Sequence, residues 1–440
     1  MKSIWENDVV FKEFKPLAKD IKADCVVIGG GIAGILTAYE LQNRGFKTVL
    51  LEADKLCSGA TCRTTAKITS QHGAVYGDIV KKIGVDAGKL YYESQQNAID
   101  YIESVAAKSG INCMFKRLPA YIYQKKGDGM LLSEARALNK IGADFEYTKT
   151  TELPFEVSGA IKFPNQAQFH PLMLMQRLTQ ELEIYEKSRV VSIEADGVVT
   201  PHGKVFAQYI VDATHYPIMN IPGFYFLRQH QQRVYLLAIR CDKKLDSMYY
   251  GCDDGHTFRQ SGRHIIIGGE AHRTGNNKKG GCYYNLFKFA RQCYPDCVFD
   301  YKWSNQDCIT HDGIPFIGRY SKASSNLFVA TGFNKWGMSS SGVAAQLIAD
   351  LICDRKNEYE SLYTPQRFHV RAGAKKLFVD VGYSVGGLTK GLFSSKDRKC
   401  KHLGCRLTVN SDENTFECPC HGSQYAKNGK LLHNPSPKSL

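Results

Sequence analysis

The sequence predicts a mixed α/β chain that ends in a small, cysteine-bearing all-β module. Three observations predict it. An apolar run meets a glycine-rich turn and a helix start at residues 24–34 (DCVVIGGGIAG). Strand and helix patterns then alternate to about residue 353, and four of the fifteen cysteines, Cys400, Cys405, Cys418 and Cys420, crowd into twenty-one residues near the C-terminal end. At 440 residues, 43% hydrophobic and 23% charged, the chain can form two or three domains with a large core, which excludes disorder as its main theme.

Residues 1–22 read as a polar leader. The strand at 24–28, the glycine turn, a helix carried by Ile35, Ala38, Tyr39 and Leu41, and a second strand at 47–52 (KTVLLE) make a βαβ opening. Helical periodicity returns over 77–110 through Tyr91, Gln95, Ala98, Ile99 and Ile102, followed by a strand at 120–123 and a helix at 131–141. These belong to an α+β insertion of about 77–185. Strands at 189–193, 198–200 and 206–213 lead back to the first sheet, and a second inserted stretch covers about 220–305, including the strand at 264–267. A strand at 326–330 runs through a glycine-rich bend into a helix from about 341 to 353. Residues 23–365 thus form one Rossmann-like domain. Residues 366–395 read as a basic, glycine-rich linker, flexible from 381 onward, and 396–440 as the cysteine module.

Gly29, Gly31 and Gly34 fit GxGxxG with a strand before and a helix after. The first glycine allows the tight turn, the second lets backbone approach a pyrophosphate, and the third lets helix and strand pack closely. The helix N-terminus offers free N–H groups to phosphate. Glu52, eighteen residues after Gly34, is placed to accept hydrogen bonds from ribose hydroxyls. The chain has one such fingerprint, which disfavours a nicotinamide-dependent flavin reductase needing two.

The module carries Cys400 and His402 in a CxH pair, then after fifteen residues Cys418 and His421 in CxxH. Each loop offers one thiolate and one imidazole. Two Cys and two His suit a [2Fe–2S] centre with unlike ligands on its two irons, and they also suit tetrahedral zinc. Zinc fits less well, because zinc loops usually each supply like ligands and zinc has no use for Cys405, Cys420, Ser423 and Tyr425.

Over about residues 23–365 the chain resembles the FAD-dependent oxidoreductases of the D-amino-acid oxidase and glycine oxidase superfamily. The resemblance rests on the fingerprint, the segment 58–67 (SGATCRTTAK), the Val190-Val191 strand, 312–318 (DGIPFIG) and 331–338 (TGFNKWGM). It implies FAD contacts from Arg63, Thr64 and Thr65, from the Val191 backbone at the adenine, and from Gly318, Gly332, Gly337 and Met338 near the isoalloxazine. A helix starting there would aim N–H groups at the flavin N1 and C2 carbonyl. Trp336 is a further neighbour of that ring. Residues 400–425 resemble the Rieske family, which implies Cys400, His402, Cys418 and His421 as ligands, a disulfide between Cys405 and Cys420, and Ser423 and Tyr425 as hydrogen-bond donors to the cluster sulfurs. A Rieske domain normally has more β-structure ahead of its first ligand loop, so the short module is expected to lean on the flavin domain.

His272 and Arg273 are the candidate substrate contacts, with His72 and His215 near the flavin-facing segments, and Cys57 and Cys62 are candidates for redox activity or flavin attachment. The implied function is oxidation of an amine or amino acid, by a dehydrogenase rather than an oxidase, with electrons passing from FAD through the Rieske cluster to an external acceptor. The alternatives are a redox sensor or electron-transfer protein without small-molecule turnover, and a reductase with reversed flow. The net charge of +14 and the basic stretch before the cluster suit an acidic electron-transfer protein, and no nucleic-acid-reading module is present. Glu6 and Asp8 interrupt any signal-peptide core, and no apolar run reaches the ~18 residues of a membrane span, so a cytoplasmic location is expected.

Overall fold

A computed structural model describes residues 2–367, 370–395 and 398–440. The opening unit is β1 (Ile21–Ile28), α1 (Ile32–Asn43) and β2 (Thr48–Leu51). β1 and β2 are parallel, with Val26 beside Val49 and Ile28 beside Leu51. Val26, Val27, Val49 and Leu50 are fully buried, because the sheet is covered on both faces, by α1 on one side and by Leu17, Val190, Val198 and Tyr225 on the other. β1 also pairs in parallel with β3 (Gly203–Asp212), and β3 with the late strand Leu327–Thr331. These four parallel strands end on one edge, which brings Gly29, Glu52, Ala213 and Gly332 to a single crevice at their carboxyl ends.

The inserted regions form a nine-stranded sheet whose far side is built from β4 (Gln229–Arg240), β5 (His264–Arg273) and β6 (Val298–Thr310), with β4 antiparallel to both neighbours. The helical stretch expected over 77–110 is two helices, Tyr76–Lys82 and Val85–Ser109. Gly84 separates them at φ +135°, a conformation open to glycine. α2 (Gly337–Ile352) begins four residues earlier than periodicity suggests. Its first turns contain Ser339, Ser340 and Ser341, which read as polar but are buried, with Ser341 Oγ donating to the Gly337 carbonyl. The leader is packed rather than loose. Trp5 and Leu17 are each 1% exposed, and the Trp5 indole donates to the Thr64 carbonyl.

One expectation is corrected. The stretch 366–395 is not a flexible linker, because its described part folds into α3 (Val370–Leu392). Gly387 and Gly391 look like helix breakers in sequence. Four residues apart, they share the face turned to the cysteine module, where a Cβ on Gly387 would lie 2.3 Å from Cys420 Sγ and one on Gly391 2.2 Å from the Gly404 carbonyl oxygen. Their cost in helix propensity is offset by a close approach that no larger residue permits.

The module itself is an antiparallel four-stranded meander, β7 (Thr408–Asn410), β8 (Thr415–Glu417), β9 (Gln424–Ala426) and β10 (Leu431–His433). Its own buried cluster is Cys400, Cys405, Leu407, Cys418, Cys420, Tyr425 and Leu431. A core in which four of seven members are cysteines depends on what those sulfurs bind and on the surface beneath it.

Candidate functional site

The crevice is shaped by the glycine loop. Gly29 adopts φ +108°, and a Cβ there would lie 2.6 Å from the Ala213 carbonyl oxygen. A Cβ on Gly34 would lie 1.9 Å from the Gly29 carbonyl oxygen, so α1 can press against the turn only with glycine at position 34. Gly31 precedes the first turn of α1, and Thr61 Oγ1 accepts from the Ile32 amide at 3.0 Å. Glu52, at the tip of β2, reaches back to accept from the Gly30 amide at 2.7 Å and from the Asp54 amide at 2.8 Å. Burial raises its carboxyl and those two amides partly offset it.

The second loop is held from three sides. Trp303 Nε1 donates to the Arg63 carbonyl at 3.0 Å, Trp5 Nε1 to Thr64 at 2.8 Å, and buried Arg259 to the carbonyls of Thr65 and Ala66. Gly332, at φ +71°, packs where a Cβ would meet Thr310 Cγ2 at 2.3 Å, and Gly337 and Met338 open α2. Trp336, just before that helix, stacks on His72 with centroids 4.8 Å apart and 13° between planes. His72 also contacts Tyr91 Oη at 2.7 Å and the Thr69 carbonyl at 2.7 Å, and burial lowers it to about 3, so it is neutral across the ordinary pH range.

Two further expected residues border the crevice: the Cys57 amide donates to the Gly30 carbonyl at 2.9 Å, and the His215 carbonyl accepts from Thr331 Oγ1 at 2.6 Å. Val191 is 60% exposed, its amide donates to the Val199 carbonyl, and the strand begins only at Ser192. Gly318 faces Leu351 and Pro365. Cys57 and Cys62 are buried thiols that burial pushes up, Cys62 to about 11, so neither is a ready nucleophile. His215 is half-buried, and burial of its ring lowers it to about 4, so it is neutral.

The two ligand loops of the module meet. His402 and His421 are 5.0 Å apart between centroids at 89°, and Cys400 contacts Cys418, so thiols pair with thiols and imidazoles with imidazoles. His402 Nδ1 and both ring nitrogens of His421 are buried without a hydrogen-bond partner. Orphaned buried nitrogens beside converging thiols are the donor set of a centre with unlike ligand pairs. Burial keeps both rings neutral, His402 lowered to about 4 and His421 to about 3. Contact with Cys418, then burial, raises the Cys400 thiol, while the hydroxyls of Ser423 and Tyr425 oppose the shift. Tyr425 Oη lies 3.6 Å from Cys400 Sγ and accepts from the Lys401 amide at 3.1 Å. Cys405, Cys418 and Cys420 sulfurs lie within 4.8 Å of one another, all carried as thiols.

The flavin-side domain completes this cage, in a way sequence reasoning missed. Arg273 Nε donates to the Pro419 carbonyl at 3.0 Å and Nη2 to Cys420 at 2.8 Å, Gln231 Nε2 donates to His421 at 2.9 Å, and Gln306 Nε2 to Gly422 at 2.8 Å. Four consecutive carbonyls of the second ligand loop are thus held by side chains of β4, β5 and β6. Arg273 and His272, expected at a substrate, are therefore placed at the junction between domains. Arg273 also pairs with Asp380 of α3, and His272 contacts Tyr235 Oη at 3.2 Å and the Arg273 carbonyl at 2.8 Å. Asp380 takes His230 at 3.1 Å and His311 at 2.6 Å as well. Burial would raise its carboxyl, but these donors hold it well below the usual carboxylate range.

Asn220, on the loop after β3, faces the imidazoles. His402 Nε2 donates to Asn220 Oδ1 at 2.7 Å, and the Phe226 ring meets both histidines edge-on, 6.4 Å from His402 and 5.8 Å from His421. Beneath β8, Arg233 and Glu417 form an ion pair at 2.9 Å with side chains 1% and 0% exposed. No spacing rule points to Asn220, Gln231, Arg233 or Asp380. Gln231 and Arg233 carry one signal, polarity inside a strand, which marks a buried polar contact without naming the partner, while Asn220 on its loop and Asp380 in the expected linker carry none.

The geometry defines a nucleotide-binding α/β oxidoreductase fold docked to a two-Cys, two-His cage, and comparison with known proteins agrees. The family model for FAD-dependent oxidoreductases matches residues 24–351, and that for the Rieske [2Fe-2S] domain matches residues 366–440. The chain belongs to the FAD-dependent oxidoreductase family and carries a Rieske domain, so its cofactors are FAD and a [2Fe–2S] cluster. YhfW of Bacillus subtilis (strain 168), described as a Rieske 2Fe-2S iron-sulfur protein, is 34% identical over 99% of this chain and 96% of its own length. Glycine oxidase from Geobacillus kaustophilus shares the fold with a TM-score of 0.67 at 20% identity, over 79% of this chain and 99% of that one. L-amino acid deaminase from Proteus vulgaris, lacking its specific insertion sequence, gives 0.65 at 17% identity, over 81% and 97%. Among the described residues no helix is long and apolar enough to cross a membrane.

Proposed function

We propose that this chain is a cytoplasmic dehydrogenase that oxidises an amine or amino acid and passes the electrons singly to an external acceptor, for which an acidic carrier protein suits the +14 charge. Bound FAD supplies two-electron hydride acceptance and the bound cluster one-electron exchange. The observation that carries the reading is the junction: Arg273, Gln231 and Gln306 hold the ligand loop against the flavin domain through four of its carbonyls. An enzyme discharging to oxygen needs no such outlet. The substrate class follows from the names of the two fold neighbours, an oxidase of glycine and a deaminase of L-amino acids.

In this reading Gly29, Gly31 and Gly34 leave room for the pyrophosphate, the N-terminus of α1 faces it, and Glu52 orients the ribose. The second loop, from Arg63 to Thr65, is braced from behind, and the start of α2 at Gly337 and Met338 turns amides toward the isoalloxazine. His72, buried and neutral, fixes the Trp336 plane beside it. Cys400, His402, Cys418 and His421 are the cluster ligands, Cys405 and Cys420 the disulfide that ties the loops, and Ser423 and Tyr425 the donors to sulfur. Anaerobic addition of amines and amino acids should bleach the flavin absorbance and then that of the cluster. Bleaching of the flavin alone, with the cluster left oxidised, would sink the path.

Asn220 gives a finer expectation. A carbonyl oxygen accepting the ligand's N–H makes the imidazole more electron-rich and favours the oxidised centre. Asn220→Leu should raise the midpoint potential of the cluster and Asn220→Asp should lower it, read by redox titration of the EPR signal. Equal potentials in both variants and the parent would remove that role.

A further inference from the structure

α3 has two faces of opposite character. The inner one carries Asp380, Gly387 and Gly391 against the flavin domain and the cysteine loops. The outer one carries Val381, Val385, Leu388 and Leu392, spaced i, i+4, i+7 and i+11, which is one stripe along a helix of 3.6 residues per turn. They are 39%, 55%, 40% and 75% exposed, and Phe393, just past the helix end, is 93% exposed. Leu403 of the first ligand loop is also exposed, at 37%. A soluble surface does not usually line up apolar side chains this way without covering them.

The charge around the ridge limits what can cover it. Between residues 381 and 406 the sequence has six Lys and Arg (Lys390, Lys396, Arg398, Lys399, Lys401 and Arg406) against one acid, Asp397. Lys390, Arg398 and Arg406 are exposed. A second copy of the chain would bring like-charged rims together, which disfavours self-association. The ridge is convex and roughly 17 Å long at 1.5 Å per residue. It ends in a projecting Phe, so it offers no hollow for a partner's anchor. An apolar ridge with a basic rim matches an acyl boundary beneath anionic headgroups.

We propose that α3 lies in the plane of a membrane surface containing anionic lipid, with Val385, Leu388, Leu392 and Phe393 in the headgroup and acyl boundary and the exposed Lys390, Arg398 and Arg406 at phosphate level. Nothing in the proposal requires a spanning segment, and it is independent of which substrate the enzyme oxidises. Its consequence is positional: the Cys405 and Cys420 side of the cage, packed on Gly387, sits directly behind the membrane-facing helix.

The test uses the full-length holoprotein and vesicles of phosphatidylcholine alone or mixed equally with phosphatidylglycerol. Sedimentation should show binding to the mixed vesicles, weaker binding to the neutral ones, and release as salt rises. The exposed double variant Leu388→Glu, Leu392→Glu should bind the mixed vesicles roughly tenfold more weakly or worse, with flavin and cluster absorbance retained as the check on folding. Lack of binding to the anionic vesicles, or undiminished binding by the variant, overturns the proposal. So does a variant whose one defect is slower, salt-sensitive electron exchange with an acidic carrier protein, which would reassign the ridge to a protein partner.

Discussion

Replacing Cys418 with Ser is expected to yield a protein that keeps its flavin and has no cluster. Cys418 is 1% exposed, contacts Cys400 and lies within 4.8 Å of the sulfurs of Cys405 and Cys420, so it stands at the centre of the thiol half of the cage. A hydroxyl neither matches thiolate as an iron ligand nor fills the space of sulfur. The crevice at Gly29, Glu52 and Gly332 shares no residue with that cage, so flavin content should stay at the parent level. The measurements are flavin release on denaturation, iron content and the EPR signal of the reduced protein. Near-normal iron in the variant would show that Cys418 is not a ligand. The substrate reaction should then separate into its halves, with flavin bleaching preserved and delivery to a one-electron acceptor lost.

The second large effect is expected at Glu417→Ala. Glu417 is wholly buried between the domains, paired with Arg233 at 2.9 Å, and it accepts from the Gly275 amide at 2.9 Å and Asn410 Nδ2 at 3.0 Å. Arg233 is held further by Ser304 Oγ and Gln306 Oε1 and cannot swing out to water. Removing the carboxylate strands a guanidinium in the interior, a loss of about 3–5 kcal/mol. Thermal unfolding followed at the cluster absorbance should show the module melting well before the flavin domain. Arg233→Met combined with Glu417→Leu should recover most of the loss, because an apolar pair of similar volume replaces the ions. A single transition at the parent temperature in Glu417→Ala would remove the pair's assigned weight.

The two cofactor sites were legible in sequence to the extent that their logic is local. The GxGxxG spacing falls within one βαβ unit and Gly34 is required by Gly29 inside it, although Gly29 itself is pressed by Ala213 far along the chain, and the CxH and CxxH loops carry their chemistry in a few adjacent residues. What stayed hidden depends on partners far along the chain. Arg273 follows a buried strand and so suggested a substrate contact, yet its partners are Asp380, Pro419 and Cys420, more than a hundred residues away. α3 was hidden because glycines at 387 and 391 signal flexibility when read locally, and only the surface they press against turns them into a packing face. The early start of α2 was masked by serines that are polar by type but buried by position.

The four carbonyls held from Pro419 to Gly422 bear on how the protein matures. A loop whose backbone is satisfied by another domain's side chains reaches its final shape only once that domain is folded. The chain order suits this, since β4, β5 and β6 leave the ribosome before the cysteine loops do. Iron insertion then meets a second loop already moulded on its platform, and a chain whose flavin domain fails to fold presents no finished cage to load.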